Sequence, residues 1–312
     1  MESRKTLMAV WMLGGMMLGS MMLAGLTGCS GDDDTTVTPD DGVKVRRITI
    51  TETEDAAAAR LAMTRASLVE DNGLTASWTA GDGLTYCNLS RINPMNGEIY
   101  TGSLTATTTA ATSQFTGDVT CYAGDYLAVV YPATTFETNE SYTISLTGQD
   151  GTLSTLATNF HYVYGKAHVE SVTDATADAS MGKMKSLLTV CKFSFVDKAT
   201  DADVPVKTLV IGYGGIGADV NTYPQSATVA IGALTTQSDV HATGVSGTEA
   251  LTVTCPTEQS AVYVALRPTA AERTFRFTVT DGSGNTYKGS AKAMLTEGEY
   301  VVATGLKLTK AN

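Results

Sequence analysis

Residues 274–290 read TFRFTVTDGSGNTYKGS and carry the clearest structural pattern in the chain. Phe275, Phe277 and Val279 alternate with Thr and Arg residues, and this period of two is typical of a β-strand with one buried face. The turn-forming residues 281–285 (DGSGN) come next, and a second strand pattern begins at Thr286. The stretch therefore predicts a β-hairpin.

The same period of two recurs along the rest of the chain. Further candidate strands, bounded by Gly, Pro, Asp or Asn, lie at 43–53, 114–119, 126–131, 142–146, 187–196, 251–255, 262–266 and 300–308. Short strands at regular spacing indicate an all-β protein built from β-sandwiches. Two segments differ from this pattern. Residues 54–71 predict a helix by propensity alone, and the polar residues 171–185 predict a linker between two sandwiches.

The N-terminal region resembles a bacterial lipoprotein leader. Arg4 and Lys5 precede an uncharged segment that runs to Gly28, which is typical of a secretory signal peptide. Residues 26–29 (LTGC) resemble the lipobox, in which the cysteine is acylated and becomes the first residue of the mature chain. We therefore expect residues 1–28 to be a signal peptide and Cys29 to be lipidated. Acyl chains then anchor the protein without a spanning helix.

Residues 29–42 predict a flexible acidic tether, because they contain Asp, Thr and Pro with almost no apolar residue. The start of this tether resembles the signal that sends lipoproteins of Bacteroidetes to the outer face of the outer membrane. The residues that carry this likeness are Ser30, Gly31, Asp32, Asp33 and Asp34. The alternative is that the like charges only repel one another and keep the tether extended.

The composition argues against one class of partner and indicates the state of the cysteines. The formal net charge of −11 argues against nucleic acid, because a phosphate-binding surface needs an excess of Lys and Arg. Four cysteines remain beyond the lipidation site, at positions 87, 121, 191 and 255, too widely spaced for a CxxC zinc or redox pair. We expect all four to be buried free thiols.

The sequence contains no recognisable catalytic, metal or cofactor motif. His161, His168 and His241 occur singly, without an HExxH, GxSxG or paired-carboxylate motif. The glycine-rich residues 211–217 lack the Lys-Ser/Thr of a phosphate-binding loop, and so predict a loop between strands. Residues 281–285 resemble the start of a calcium loop but lack its later Gly and Glu, so a turn is favoured. We expect no enzyme activity, no metal and no cofactor.

A set of short motifs, in this order behind the lipobox, resembles the fimbrillin family, the type V pilins and Mfa-like proteins of Bacteroidetes. The motifs are residues 64–66 (TRA), 78–82 (WTAGD), 131–132 (YP), the strand at 187–196, 264–268 (VALRP), 277–287 and 298–300 (GEY). The resemblance implies two transthyretin-like β-sandwich domains, which we place at residues 43–180 and 181–312. It also implies a surface-exposed outer-membrane lipoprotein that forms fimbriae for cell adhesion.

The same resemblance implies maturation by an arginine-specific protease that removes an N-terminal strand. Here that strand would be residues 43–51, with the cut after Arg60 or Arg65, and the setting of Arg65 fits the family better. The opened groove would accept a strand from another fimbrial subunit. Alternatively, Arg46, Arg47, Arg60 and Arg65 are ordinary surface charges. Residues 300–310 alternate well enough to act as a donor, but little sequence follows them, which fits a tip subunit better than a shaft subunit.

The competing function is a surface lipoprotein that does not polymerise and binds a glycan or a host protein. Aromatic rings suit sugar binding, and the candidates near loops are Tyr86, Tyr100 and Tyr223. Neither the place of the subunit in a filament nor the adhesion target follows from the sequence.

Overall fold

The computed structural model describes residues 44–53, 67–70, 73–213, 222–244 and 249–311. These residues form twenty strands and three short helical turns, which confirms the all-β class. In chain order the strands are β1 (Val45–Thr53), β2 (Ser67–Glu70), β3 (Leu74–Ser77), β4 (Gly83–Ile92), β5 (Ile99–Ala106), β6 (Gln114–Thr120), β7 (Tyr126–Tyr131), β8 (Ser141–Ser145), β9 (Val163–Val172), β10 (Thr176–Gly182), β11 (Lys185–Ser186), β12 (Thr189–Asp197), β13 (Val206–Gly212), β14 (Ser226–Ala230), β15 (Ala242–Gly244), β16 (Leu251–Gln259), β17 (Val262–Leu266), β18 (Arg273–Thr280), β19 (Thr286–Ala293) and β20 (Tyr300–Lys310).

The helical turns are an α-helical turn at Leu153–Thr155, a π-helical turn at Leu156–Phe160 and a 3₁₀ turn at Gln237–Asp239. None of the helices in the described ranges is both long and apolar enough to cross a membrane.

The first large sheet closes on itself. Its strands follow the order β10-β1-β6-β5-β4-β7-β9-β11, and an additional pairing between β9 and β10 closes a ring of seven strands. We call this ring the first barrel. Its interior is an apolar cluster that includes Ile48, Ile50, Trp78, Phe115 and Tyr131. Closure gives every strand of the ring two hydrogen-bonding neighbours and leaves none of them at an edge.

The second large sheet has seven strands in the order β16-β13-β18-β19-β20-β12-β17. It folds back on itself, since Phe193 and Phe195 of β12 lie 5.2 and 5.7 Å from the ring of Phe277 on β18. Strands β19 and β20 are joined at only two residue pairs, Tyr287 with Lys310 and Lys288 with Thr309. The two layers therefore enclose a core between them, while the transthyretin-like topology stays a prediction.

The hairpin predicted at 274–290 is confirmed. Strands β18 and β19 pair antiparallel from Arg273–Ala293 to Thr280–Thr286. In the turn, the Asp281 carboxylate accepts hydrogen bonds from the backbone N–H groups of Ser283 and Asn285 at 2.9 and 2.8 Å. The Asp281 carboxylate therefore stabilises the turn, as the sequence predicts for residues 281–285. The other eight predicted strands also form, each with its ends within a few residues of the prediction.

Two predictions of local structure are wrong. Residues 67–70, part of the predicted helix, form strand β2 and pair with β3. Leu68 is buried in this hairpin, and tertiary packing of this kind outweighs the intrinsic helix propensity of the segment. The rest of that segment lies outside the described residues. The predicted linker contains strand β10, which pairs with both β1 and β9, so the predicted boundary at residue 180 falls inside a strand of the first barrel.

A smaller three-stranded sheet, β15-β14-β8, joins sequence on both sides of that boundary. Strand β8 pairs with β14 from Ser145–Ser226 to Ser141–Ala230. The same apolar cluster contains Tyr142 and Ile144 of β8 and Ala227 and Val229 of β14. The two halves are therefore connected by backbone pairing as well as by side-chain packing.

Candidate functional site

Strand β1, the strand predicted to be removable, lies inside the first barrel. It pairs antiparallel with β6 and parallel with β10, through seven registered residue pairs on each side. We call the space between β6 and β10, which β1 occupies, the strand groove. Because both neighbours are paired to β1, its loss would leave two rows of backbone N–H and C=O groups without partners in this sheet.

Alternate side chains of β1 point into the barrel. Ile48 and Ile50 are fully buried, and Arg46 and Glu52 are each 5% exposed. Full burial of each Ile stabilises the seated strand by about 1.5–3 kcal/mol. The strand groove therefore accommodates an extended segment that has apolar side chains at two consecutive inward-facing positions, those of Ile48 and Ile50.

Trp78 forms the aromatic wall of this interior. Its ring meets the rings of Phe115 and Tyr131 edge to face, with centroid distances of 5.0 and 5.6 Å. Its indole Nε1–H donates a hydrogen bond to Glu52 Oε2 at 3.0 Å. Trp78 is thus a fully buried core residue of the first barrel, and its indole makes a polar link to β1.

Glu52 is the polar anchor near the C-terminal end of β1. Besides the indole of Trp78, its carboxylate accepts hydrogen bonds from the backbone N–H groups of Ser113 at 3.3 Å and Met184 at 3.1 Å. Three donors from separate segments therefore converge on one buried carboxylate, which is how a buried charge is made tolerable. Sequence reasoning missed this residue, although its position in phase with Ile48 and Ile50 is the signal that could have found it.

Arg46 anchors the other end of β1. Its Nε donates to Thr173 O and its Nη1 to Cys121 O, both at 2.6 Å, and its guanidinium lies 5.2 Å from the centre of the Tyr122 ring. Arg46 is therefore a buried structural cation, whereas Arg47 is exposed and pairs with Asp118 at 3.4 Å. The surface-charge alternative is thus wrong for Arg46 and right for Arg47.

The other predicted site residues cannot be placed. The lipidation site Cys29, the export-signal residues Ser30 to Asp34, and both cleavage candidates, Arg60 and Arg65, lie outside the described residues. They stay predictions.

The tyrosines proposed for glycan binding are mostly inaccessible. Tyr86 and Tyr223 are 3% and 0% exposed. Their hydroxyls accept hydrogen bonds from the backbone N–H groups of Thr120 and Arg267. A buried ring cannot stack on a sugar, so this prediction is wrong for both, and Tyr100 alone is partly accessible.

A polar cluster attaches strand β2 to the second large sheet. The Glu70 carboxylate accepts hydrogen bonds from Lys192 Nζ at 2.7 and 2.8 Å, from the Tyr300 hydroxyl at 2.7 Å and from the Tyr263 hydroxyl. The hydrogen bonds from Lys192, and then those from Tyr263 and Tyr300, lower the pKa of Glu70 from 4.5 to about 2. The cluster holds β2, which begins two residues after Arg65, on the opposite side of the predicted cut from β1.

Glu70→Gln is expected to remove a pH-dependent contribution to stability. Since the pKa of Glu70 is lower in the folded chain, its contribution is present above about pH 4.5 and is lost as the pH falls toward about 2. Glu70 is partly solvent-exposed, so we expect the variant to cost about 1 kcal/mol near neutral pH and almost nothing near pH 2. Urea unfolding at several pH values measures this difference. A difference independent of pH would contradict the assignment.

The four cysteines beyond the predicted lipidation site are buried, as the sequence predicts. Cys87, Cys121, Cys191 and Cys255 are buried free thiols, and burial raises the pKa of Cys87 to about 12. Within the described ranges, no cluster of three His, Cys, Asp or Glu side chains could hold a metal ion.

The C-terminal strand β20 is paired within its own sheet. It runs parallel to β12 from Val190–Tyr300 to Asp197–Leu308, with an irregularity between Phe193 and Phe195. Its side chains are mostly half-buried or exposed, Val302 being 52% exposed, and only Leu308 is fully buried. The predicted donor segment is therefore an integral but shallowly packed strand.

No protein-family model matches the chain, and no curated protein matches it significantly. Among solved structures, a putative cell adhesion protein from Bacteroides eggerthii is similar at 13% identity and TM-score 0.36, over 84% of this chain and 87% of that chain. The tip fimbrial protein Mfa3 from Porphyromonas gingivalis, with a C-terminal truncation, has 8% identity and TM-score 0.33, over 79% and 81%. The shaft pilin SpaA from Lactobacillus rhamnosus GG has 9% identity and TM-score 0.34, over 86% and 98%. Similarity this distant carries no conclusion about the function of this chain.

Proposed function

We propose that this chain is a structural subunit of a cell-surface fimbria that assembles by strand exchange and serves cell adhesion. One observation carries the proposal: an interior strand of the first barrel, β1, directly precedes the segment that contains Arg60 and Arg65. One cut in that segment would separate β1 from the rest of the chain while leaving β2 attached to the second sheet through Glu70.

Loss of β1 would create an acceptor site for another strand, because it would leave backbone groups unpaired and apolar side chains exposed. The facing edges of β6 and β10 would lose their backbone partners, and the apolar interior around Trp78 would be exposed to water. Such a groove binds an extended segment by backbone hydrogen bonds and takes its specificity from alternate side chains. The incoming strand would need apolar residues at the positions of Ile48 and Ile50.

We further propose that the subunit accepts a strand and does not donate one, which suits a tip position. The pairing of β20 with β12 along most of its length supports this, because donation of β20 would expose the fully buried Leu308 and break that pairing. The partners are then other fimbrial subunits and an arginine-specific protease. In the type V route, Cys29 would carry the lipid that anchors the chain in the outer membrane, and residues 30–34 would direct it to the cell surface.

Surface extracts of the native cells test the assembly. We expect oligomers that resist detergent at room temperature and dissociate on boiling, because a seated strand is held by many cooperative hydrogen bonds. The double variant Arg60→Ala with Arg65→Ala should yield only full-length monomer, while Arg273→Ala, an exposed arginine on β18, should leave the oligomers unchanged. Identical oligomers from the double variant would refute cleavage-dependent assembly.

The second candidate is a surface lipoprotein that does not polymerise and acts as an adhesin for a glycan or a host protein. One observation favours this function. Strand β1 is paired on both sides, and its Arg46 and Glu52 side chains are buried, so the chain closes the first barrel with its own strand. Correctly folded, uncut protein that binds neither a glycan array nor host-cell extracts would count against it.

A further inference from the structure

An apolar cavity of about 850 Å³ opens beside the end of the first barrel. Its walls come from four segments: residues 183–186 around β11, residues 237–243 before and within β15, the β17–β18 connection at 267–270, and the β19–β20 connection at 294–297. The volume lies within the range of about 300–1,000 Å³ that is typical of small-molecule sites. Met184 belongs both to the walls of this cavity and to the apolar cluster of the first barrel that contains Ile48 and Ile50.

The lining of this cavity is mostly hydrophobic and contains two methionines, the fully buried Met184 and the exposed Met294. The apolar side chains on its walls are Met184, Ala242, Pro268, Ala270, Met294 and Leu295. Met294 is 61% exposed and is therefore accessible to a ligand. Methionine adapts its shape to apolar ligands. The described lining residues include no Phe, Tyr or Trp ring, the side chains that most often stack on sugars.

The only carboxylate on the described walls, Glu297, is already neutralised. Lys185 Nζ lies 2.8 Å from Glu297 Oε2, and His241 Nδ1 lies 2.9 Å from Oε1. Both carboxylate oxygens of Glu297 are therefore already in contact with basic side chains of the same cavity. Glu297 is therefore poorly placed to attract a cationic ligand.

Two other cations on the walls have no carboxylate partner among the described residues. Lys183 makes no ion pair there, and the Arg267 guanidinium makes its one side-chain hydrogen bond, at 3.0 Å, through Nη2 to the Tyr213 hydroxyl. Within the described ranges, the buried Nε–H of Arg267 has no acceptor. Two positive charges without a carboxylate partner in the described part of the chain stand out, because the formal net charge of the protein is −11.

We propose that this cavity binds a small amphipathic carboxylate, with its hydrocarbon body against the apolar wall that includes Met294 and its carboxylate near Lys183 and Arg267. Apolar burial supplies most of the affinity for such a ligand, and charge-assisted hydrogen bonds fix its orientation. The proposal is independent of strand exchange, because the cavity walls are complete in the uncut chain.

Titration calorimetry on the uncut chain tests the site, with decanoate as the probe below its micellar range. We expect one saturable site for decanoate and at least roughly ten-fold weaker binding of decanol and decylamine, which lack the carboxylate. Failure of decanoate to saturate a single site, or tighter binding of decylamine, would overturn the proposal.

Variants locate the binding. Lys183→Gln should weaken decanoate binding by roughly five-fold, a modest effect because this lysine is only half-buried. Ala270→Trp places a large ring at an exposed wall position and should abolish binding without disturbing the core. The matched control is Lys198→Gln, at an exposed lysine outside the cavity, which should bind like the unmodified chain. Equal binding by all three variants would place the ligand elsewhere and refute the assignment.

Discussion

Cutting the folded chain with an arginine-specific protease is expected to convert β1 from a fixed strand into an exchangeable one. The first cuts should fall after Arg60 or Arg65, because Arg46 and Arg47 lie in strand β1, which is paired with a neighbouring strand on both sides. The nicked chain should then take up a labelled peptide of residues 43–53 (VKVRRITITET) into the strand groove, while the uncut chain should not. Native gel electrophoresis with fluorescence detection measures this uptake after the protease has been inhibited.

The size of this effect follows from what the strand buries. The same peptide with Ile48→Asp and Ile50→Asp would place two carboxylates at fully buried positions. Each replacement removes about 1.5–3 kcal/mol of apolar burial and adds the cost of desolvating a charge, so uptake should be at least roughly hundred-fold weaker. Equal uptake of both peptides would show that binding does not occur in the strand groove.

The second large effect is expected at Glu52. Glu52→Ala should lower the free energy of unfolding by about 3–5 kcal/mol, because it leaves the indole N–H of Trp78 and two backbone N–H groups buried without this acceptor. Glu52→Gln keeps one acceptor oxygen and should cost about half as much. Urea unfolding at neutral pH, followed by fluorescence, gives both values.

Controls separate the role of Glu52 from general loss of negative charge. Glu137→Ala removes an exposed carboxylate and should change stability by less than about 0.5 kcal/mol. After cleavage, the Glu52→Ala chain should also exchange β1 for the peptide faster than the unmodified chain does. A stable Glu52→Ala chain with normal exchange would show that this carboxylate does not anchor the strand.

The strands that could be predicted from sequence share one property. In the hairpin at 274–290, large side chains such as Phe275 and Phe277 alternate with polar ones, and the turn is marked by Gly and Asp. Strand β10 could not be found in this way, because its inward residues include the small Ala177 and Ala179, which look like linker composition. Small side chains are buried there because two neighbouring strands approach them, which is a property of the closed barrel.

Closure of the barrel also explains which site residues were missed. The parallel pairing of β1 with β10 joins segments more than a hundred residues apart, and no local pattern encodes it. Without that pairing, Arg46 and Glu52 read as solvent-exposed charges. In the structure they share the inward face of β1 with Ile48 and Ile50 and become its two polar anchors.

The cavity proposed to bind a carboxylate is a further case of long-range assembly. Lys183 and Arg267 belong to different segments and have no sequence relationship that would suggest a shared site. The predicted leader differs, because the resemblance to a lipobox and the predicted acidic tether rest on contiguous residues, 26–34.

The most direct measurement is the N-terminal residue and intact mass of the protein isolated from the native cell surface. Assembly by release of β1 predicts a chain that starts at Ala66, or at Leu61 after a cut at Arg60, and lacks residues 43–53. An acylated Cys29 still joined to β1 in the surface form would contradict that account and leave a closed, lipid-tethered protein.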